Sequence, residues 1–310
     1  MADSELTFPL VTRRRLVGLA FGSLQSARRM TGTDVAGSRP YHPGDDMRTI
    51  DWNASAKLSA ARSSDEFLVR EHYAEEAPRV ILVCDRRPEM ELFPEELPWL
   101  SKPAVMREAG RLIVDSAQRA RGLLGYLDFA EGGVEPFWRP PHSQQDFWRT
   151  KESRLPHPTF RAPADNVSHA LQHLIDSRRA LPAGTFVFLL SDFIEPVDDE
   201  AWAEALEQPW DLVPVVIQDP VWEQSFPPVG SVVVPVLDPS AGKIKLLRLS
   251  RREAAERRRR NEQRIESLFG RFTSFGLEPV LLSSVDPDEI FRAFLAWAEA
   301  RMYGVGVRLN

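Results

Sequence analysis

Four short, mostly apolar runs constrain this chain more than any other feature: Val80 to Cys84, Leu123 to Phe129, Thr185 to Leu190 and Leu212 to Ile217. Runs of this length and composition suit strands covered on both faces. Helical patterns stand between them. Ala104 to Arg121 carries Val105, Ala109, Leu112, Ile113 and Ala117 on one stripe, and Gly122 stops it. Asn166 to Arg179 and Asp199 to Leu206 read as two more helices. Buried strands alternating with helices predict an α/β fold: a mostly parallel sheet, helices on both faces and right-handed crossovers. Functional groups in such sheets collect beyond the carboxyl ends of the strands. Here those ends carry Asp85 and Ser191-Asp192.

The flanking segments fill in the outline. Val134 to Trp138 reads as a short strand after the Gly132-Gly133 turn, and Arg139 to Pro163 as a long loop rich in Pro and polar residues. Ser231 to Leu237 and Lys243 to Leu249 form a hairpin signature around Asp238-Pro-Ser-Ala-Gly242. A long charged helix from Arg251 to Phe275, a strand from Glu278 to Leu282 and a closing helix from Pro287 to Arg301 complete the order. At the other end, residues 5–30 show a rough helical period through Leu10, Leu16, Leu19 and Leu24, and Phe67 to Tyr73 reads as an edge strand. The character of the chain changes at Arg79. That gives two parts: residues 1–78, a smaller N-terminal segment containing strands, and residues 79–303, the α/β domain.

With 310 residues, 43% of them hydrophobic and 27% charged, the chain has room for a sizeable core. The formal charge of -6 disfavours general nucleic-acid binding, which needs local basicity against phosphate. The lone cysteine, Cys84, lies inside an apolar run. It excludes an internal disulfide and a multi-thiolate metal site, and it reads as a small core residue. No apolar run reaches membrane-spanning length. The basic-then-apolar stretch from Arg13 to Phe21 is followed at once by Gln25, Arg28 and Arg29, so a cytoplasmic location is expected.

The densest run of special residues is Arg39-Pro-Tyr-His-Pro-Gly-Asp-Asp-Met-Arg-Thr-Ile-Asp-Trp-Asn-Ala-Ser-Ala-Lys57. Pro43-Gly44 is a strong turn signal. Asp45 and Asp46 follow, Arg48 and Asp51 stand close enough to share an ion-pair network, and Trp52 adds a large apolar face with one donor. No helix or strand period explains the run. It reads as a rigid polar joint built on Arg39, Tyr41, Gly44, Asp45, Arg48, Asp51 and Trp52, which fastens the N-terminal part to the sheet domain. No evident base or nucleophile stands beside Asp45 to give it a catalytic role.

That joint resembles the hallmark of the family called domain of unknown function 58, and Leu189-Leu-Ser-Asp-Phe193 strengthens the likeness. The resemblance extends from about Arg13 to Arg301 and implies association with MoxR-type AAA+ ATPases. The acidic strand ends, with the helix start Asp165-Asn-Val-Ser-His-Ala-Leu171 between them, resemble a von Willebrand factor A domain. In that fold a metal-ion-dependent adhesion site is built from an Asp-x-Ser-x-Ser loop, a loop giving a Thr and a loop giving an Asp. Carried over position by position, the likeness places Asp85, Arg87 and Glu89 in the first loop, Asp165 in the second and Asp192 in the third. Only Asp85 and Asp192 match the pattern. Two readings stay open. In one, Arg87, a fixed planar cation, neutralises Asp85, Asp165 and Asp192 without any ion, and the adhesion site is degenerate and structural. In the other, the carboxylates, counting Glu89, hold a hard divalent cation such as Mg²⁺, Mn²⁺ or Ca²⁺, with Asp85, Asp165 and Asp192 as ligands. No other cofactor is expected.

The remaining motifs are weaker. His169 and His173 have chelating spacing on a helix, but Ala170 stands where a His-Glu-x-x-His metalloprotease has its Glu. There is no Gly-x-Ser-x-Gly elbow and no Gly-x-x-x-x-Gly-Lys-Ser/Thr loop, so no catalytic motif and no means of hydrolysing ATP is evident. The basic run from Arg251 to Arg264 is interleaved with Glu253, Glu256 and Glu262, the pattern of a salt-bridged solvent face. Phe137-Trp138, Phe147-Trp148 and Trp222 lie in or near loops, as interface anchors or as packing under a loop.

The sequence therefore points to a non-enzymatic adaptor or scaffold with a protein partner. The resemblance supplies a MoxR-type AAA+ ATPase for that partner, in complex assembly or maturation. Two alternatives stand beside it: a metal-dependent hydrolase using the strand-end carboxylates, and a nucleic-acid-associated protein using the Arg251–Arg264 helix.

Overall fold

The computed structural model describes residues 6–12, 35–41, 50–62, 67–72, 77–91, 100–130, 135–141, 159–230, 232–238 and 243–303. The chain divides into two compact units. The smaller runs from Val17 to Ala77, and the larger joins Met1–Leu16 to Pro78–Asn310.

In the smaller unit, β1 (Val35–Pro40) pairs antiparallel with β2 (Leu68–His72), and the chain between them contains helix α1 (Trp52–Arg62). Asp51 starts that helix. Its carboxylate accepts the Ala54 N–H at 3.1 Å, an N-cap bond that satisfies one of the orphan donors of the first turn. Ser55 Oγ donates to the Asp51 carbonyl at 2.6 Å and accepts the Leu68 N–H at 2.8 Å, which ties α1 to β2. This corrects the reading of the whole Arg39–Lys57 run as irregular: its last third is helical. The helical period is invisible because α1 is rich in Ala and Ser and its faces barely differ in hydrophobicity. Tyr41 N–H donates to the Phe67 carbonyl at 2.8 Å. Trp52 is 60% exposed and meets Phe67 edge-on, with 5.9 Å between ring centroids. Arg39 lies on β1, while Gly44, Asp45 and Arg48 lie outside the described residues.

The larger unit is built on β3 (Arg79–Cys84), α2 (Lys102–Arg119), β4 (Leu123–Asp128), β5 (Phe137–Arg139), α3 (Asn166–Asp176), β6 (Phe186–Ser191), α4 (Asp199–Leu206) and β7 (Asp211–Ile217). A hairpin of β8 (Val232–Asp238) and β9 (Lys243–Leu249) follows, then α5 (Arg251–Ser274), β10 (Val280–Leu282) and α6 (Pro287–Tyr303). One six-stranded sheet runs in the order β10-β7-β6-β3-β4-β5, and β8 and β9 form a sheet of their own. Every neighbouring pair in the large sheet is parallel except β4 with β5. A parallel sheet with one antiparallel edge and helices on both faces is the α/β arrangement expected from the sequence.

Side chains alternate along a strand, so the central strands feed two cores. Val80, Leu82 and Cys84 of β3, with Phe186, Phe188 and Leu190 of β6, pack with α2 and α6. Ile81 and Val83, with Val187 and Leu189, pack with α3, α4 and the last turns of α5. Gly122 ends α2 by allowing close approach: a Cβ there would stand 2.7 Å from the Pro78 carbonyl, which accepts the Leu123 N–H at 2.8 Å.

The start of the chain differs from its expected helix. Residues 6–12 are irregular, and residues 13–30 lie outside the described residues. Phe8 is buried in the first core and stacks on Phe294 at 4.8 Å, with Leu6 and Leu10 packed beside it. A spacing of two is the signature of an extended chain laid on a core, and Pro9 has no N–H to give a helix. These residues thus belong with the sheet unit rather than with a 1–78 segment. Among the described residues no helix is long and apolar enough to cross a membrane.

Candidate functional site

β3 and β6 are neighbours, so the residues that follow them leave the sheet side by side at its carboxyl rim. The ladder runs one step further, with the Asp85 N–H donating to the Leu190 carbonyl at 2.9 Å. Asp85 is 1% exposed and Asp192 0%. Two buried carboxylates so close together demand compensating charge and donors.

Both are supplied from within the chain. Arg87 folds back on the strand it follows. Its Nε and Nη2 donate to Asp85 Oδ2 at 2.9 and 2.6 Å, and its backbone N–H donates to Oδ1 at 3.0 Å. The same Nη2 donates to Asp192 Oδ1 at 2.8 Å. Lys102, the first residue of α2, is 3% exposed. Its ammonium donates to Asp192 Oδ2 at 2.7 Å and pairs with Glu223, from the segment after β7. Ser191 Oγ donates to Asp85 Oδ2 at 2.6 Å, Asn166 Nδ2 to Asp85 Oδ1 at 3.0 Å, and the Ile194 N–H to Asp192 Oδ1 at 3.0 Å. All four oxygens of the two carboxylates therefore accept hydrogen bonds.

The charge states follow from this geometry. Burial alone would raise the Asp192 carboxyl, but Lys102 and Arg87 more than reverse that and hold it below its ordinary value of 3.8. Burial opposes the charge on Arg87, yet Asp85 and then Asp192 hold that guanidinium charged more firmly than usual. Lys102 is likewise raised above its ordinary 10.5, its burial outweighed by Asp192 and Glu223. Burial pushes the Glu223 carboxyl up, with Asp192 adding to the effect and Lys102 opposing it.

The surrounding loops are braced to this rim. The Asp192 carbonyl accepts from Gln218 Nε2 at 2.6 Å, and Asp219 Oδ2 accepts the Leu100 N–H at 2.9 Å just before α2. Phe193 has φ 50°, in the left-handed region that bulky residues seldom enter. Its ring is fixed edge-on against Phe272, 5.3 Å away. From α5, Arg258 Nε donates to the Phe226 carbonyl at 2.8 Å, Asn261 Nδ2 to the Trp222 and Ser225 carbonyls at 3.0 and 2.5 Å, and Arg264 Nη2 to the Glu223 carbonyl. Arginines of the basic run thus turn inward to hold the segment that carries Glu223. On its outer face, Arg259 pairs with Glu256 at 2.8 Å.

A cleft of about 200 Å³ opens over the network, lined by Arg87, Glu89, Lys102, Asp192, Glu195 and Glu223. Beside it lies a second buried network. Arg86 Nη2 donates to Tyr126 Oη at 2.7 Å, Tyr126 Oη donates to Asp128 Oδ2 at 2.7 Å, and the Arg86 guanidinium lies over the Phe160 ring, 5.2 Å from its centroid. Cys84, at the end of β3, is buried; burial pushes its thiol up to about 11, the property of an unreactive core residue.

The structure brings Asp85, Arg87 and Asp192 together and sets Glu89 on the cleft wall. It does not bring Asp165 to them. Asp165 precedes α3, is exposed, and sits 3.3 Å from His169 Nδ1; the next residue, Asn166, makes the loop's contact with Asp85. The acidic triplet expected from the sequence is therefore a pair plus an amide. His173 lies against Trp138, 5.4 Å between ring centroids, and His169 faces Asp165. Trp222 packs edge-on against Phe226 at 5.2 Å. Phe147 and Trp148 lie outside the described residues. Lys102, Glu223 and Asn166 join the site without a sequence period that points any of them inward.

These residues do not fit a divalent cation. Mg²⁺ needs near-octahedral oxygen ligands at roughly 2.0–2.1 Å. Here the carboxylate oxygens accept from donors, Arg87 occupies the space between them, and Lys102 holds the other oxygen of Asp192. Among the described residues, no three His, Cys, Asp or Glu side chains form a group able to hold a metal ion.

A family model described as "Protein of unknown function DUF58" matches residues 37–267. No curated protein matches the chain. Among solved structures, the chain is similar to the conserved hypothetical protein BatB from Bacteroides thetaiotaomicron, with a TM-score of 0.41, 14% identity, and coverage of 72% of this chain and 99% of that one. It is also similar to an aerotolerance-related membrane protein from Bacteroides fragilis NCTC 9343, carrying multiple mutations to serines, with a TM-score of 0.39, 12% identity, and coverage of 72% and 98%. A mutant of the PilB minor pilin from Streptococcus sanguinis gives a TM-score of 0.40 and 11% identity, covering 79% of this chain and 68% of that one.

Proposed function

The chain belongs to the family of proteins of unknown function DUF58, and on that premise we propose that it is a non-enzymatic interaction adaptor or scaffold. Its carboxyl-rim cleft is the docking surface, and its partner is a MoxR-type AAA+ ATPase, with which it serves the assembly or maturation of protein complexes. The partner comes from the family resemblance alone. One observation carries the rest: Arg87 bridges Asp85 and Asp192 at the cleft floor, and with Lys102 it holds the Asp192 carboxylate in the ionised state. A general acid or base must exchange a proton near the working pH, and a metal-dependent hydrolase must offer open oxygen ligands. This floor does neither, but it is a rigid, polar, preorganised surface of the kind that fixes a partner's register.

The walls set the chemistry of that partner. Glu89, Glu195 and Glu223 surround the mouth, so an acidic side chain is repelled and a basic or hydrogen-bond-donating one is accepted. The test is binding of the purified chain to a purified MoxR-type ATPase, with ATP or ADP, by biolayer interferometry. The Glu89→Lys/Glu195→Lys variant is expected to bind about tenfold more weakly or worse. Equal binding moves the docking surface elsewhere. Absence of binding in every nucleotide state sinks the partner, and turnover of model esters by the chain alone favours the hydrolase alternative.

A further inference from the structure

We infer that Arg87 and Lys102 replace a divalent cation at this rim, charge for charge, so that the site is permanently filled by the chain's own side chains and excludes metal while both are present. Arg87 Nη2 stands 2.6 Å from Asp85 Oδ2 and 2.8 Å from Asp192 Oδ1, the bridging position a shared ion would take. Lys102 Nζ stands 2.7 Å from the other oxygen of Asp192 and reaches Glu223 on its far side. The two side chains together carry two positive charges on short, buried contacts. An ion approaching Asp85 and Asp192 would meet both of them inside the distance at which it must bind, and both are held in place by these buried pairs: Arg87 and Lys102 are each 3% exposed.

The oxygens left behind complete the argument. If the guanidinium and the ammonium were removed, Asp85, Asp192, the Ser191 hydroxyl and Glu223 would face the emptied space as hard oxygen donors, the set that suits Mg²⁺ or Mn²⁺. The carboxylates are therefore a latent metal site, and the two bases are what closes it. This inference concerns the floor of the cleft and stands whether or not the cleft docks an ATPase.

Electron paramagnetic resonance titration of the full chain with Mn²⁺ tests it. Wild type is expected to show no saturable binding at millimolar Mn²⁺ and no change in melting temperature with Mn²⁺ or EDTA. The Arg87→Ser/Lys102→Ala variant is expected to bind Mn²⁺ roughly tenfold more tightly or better, the least that removing two adjacent charges implies. Adding Asp192→Asn to that variant should abolish the gain. Saturable binding by wild type that Asp192→Asn abolishes overturns the inference. So does a folded double variant that binds Mn²⁺ no better than wild type. Should the double variant fail to fold in metal-free buffer, refolding with Mn²⁺ becomes the readout: recovery supports the replacement, and failure overturns it.

Discussion

At the scale of single residues, the site is governed by where compensating charge comes from. Asp85 and Asp192 were legible in the sequence because they follow apolar strand runs, and Arg87 through the loop resemblance; sheet order brings the ends of β3 and β6 together. Asp165 misled by one position: a residue just before a helix turns to solvent as easily as inward, and Asn166 took the inward place. Lys102 and Glu223 were not legible, because one opens a helix and the other lies in an irregular segment, and no period assigns either an inward direction. Yet Lys102 is the residue whose loss should be felt most. With a Met there, Asp192 loses one of its two cations and Glu223 loses the ammonium it pairs with, and removing one member of a buried charge pair costs about 3–5 kcal/mol. The pH dependence has a definite sign. The folded Asp192 carboxyl is depressed, so its contribution is present above 3.8 and fades as pH falls through the lower, folded value. The folded Lys102 ammonium is raised, so its contribution is present below 10.5 and fades as pH climbs through the higher, folded value. Urea denaturation of wild type and Lys102→Met across pH should thus show a clear gap at neutral pH that narrows in strong acid and in strong alkali. A gap that is absent at neutral pH, or that persists undiminished in strong acid, refutes the account.

Elements were read best where hydrophobicity alone decides them. The four central strands and helix α2 came out nearly in place, since burial on both faces or along one stripe leaves a pattern that needs no tertiary knowledge. β5 is shorter than expected and begins three residues later, at Phe137; among the described residues it is an edge strand paired with β4, so its extent is set by pairing rather than by its own residues. The start of α5 carries a reciprocal cap in which Ser250 Oγ accepts the Glu253 N–H and Glu253 Oε2 accepts the Ser250 N–H at 2.7 Å, a Ser-x-x-Glu signal readable in the sequence. Helix α1 is the opposite case. Its apolar contrast is too weak to show, and what specifies it is the cap at Asp51. Asp51→Ala should therefore destabilise the smaller unit by about 1 kcal/mol, the usual worth of an N-cap. Hydrogen exchange of the α1 amides is the direct reading: faster exchange there is expected, and unchanged protection would show that the cap does not hold the helix.

For the whole molecule, the α/β class and the order of its layers followed from alternation, but the path of the N-terminus did not. A rough helical period through leucines suggested a separate segment, whereas Leu6, Phe8 and Leu10 belong to the core of the sheet unit. The period misleads because a spacing of two and a spacing near four share many positions over so short a stretch. The consequence is a fold closed by its first residues. Phe8 is 3% exposed and touches rings from β6 and α6: Phe294 at 4.8 Å, Trp297 at 5.9 Å and Phe188 at 6.4 Å. Three residues on, the Val11 carbonyl accepts from Arg301 Nη1 at 2.9 Å, and Arg301 also holds the buried Asp211 through both terminal nitrogens at 2.8 and 3.0 Å. The strap thus reaches the end of α6 and the start of β7 together. Phe8→Ala should cost about 3–5 kcal/mol, because the cavity would be walled by large rings from a packed sheet and helix that cannot collapse into it. That is a large share of the roughly 5–15 kcal/mol that holds a typical domain folded. Denaturant unfolding followed by tryptophan fluorescence reads it through Trp297, which loses a neighbour. The midpoint should fall with little change in slope, since the same surface is exposed on unfolding. Deleting residues 1–12 should lower stability further than Phe8→Ala, because it also takes the Val11 carbonyl from Arg301. A truncated chain as stable as wild type would mean that the sheet unit closes without its first residues.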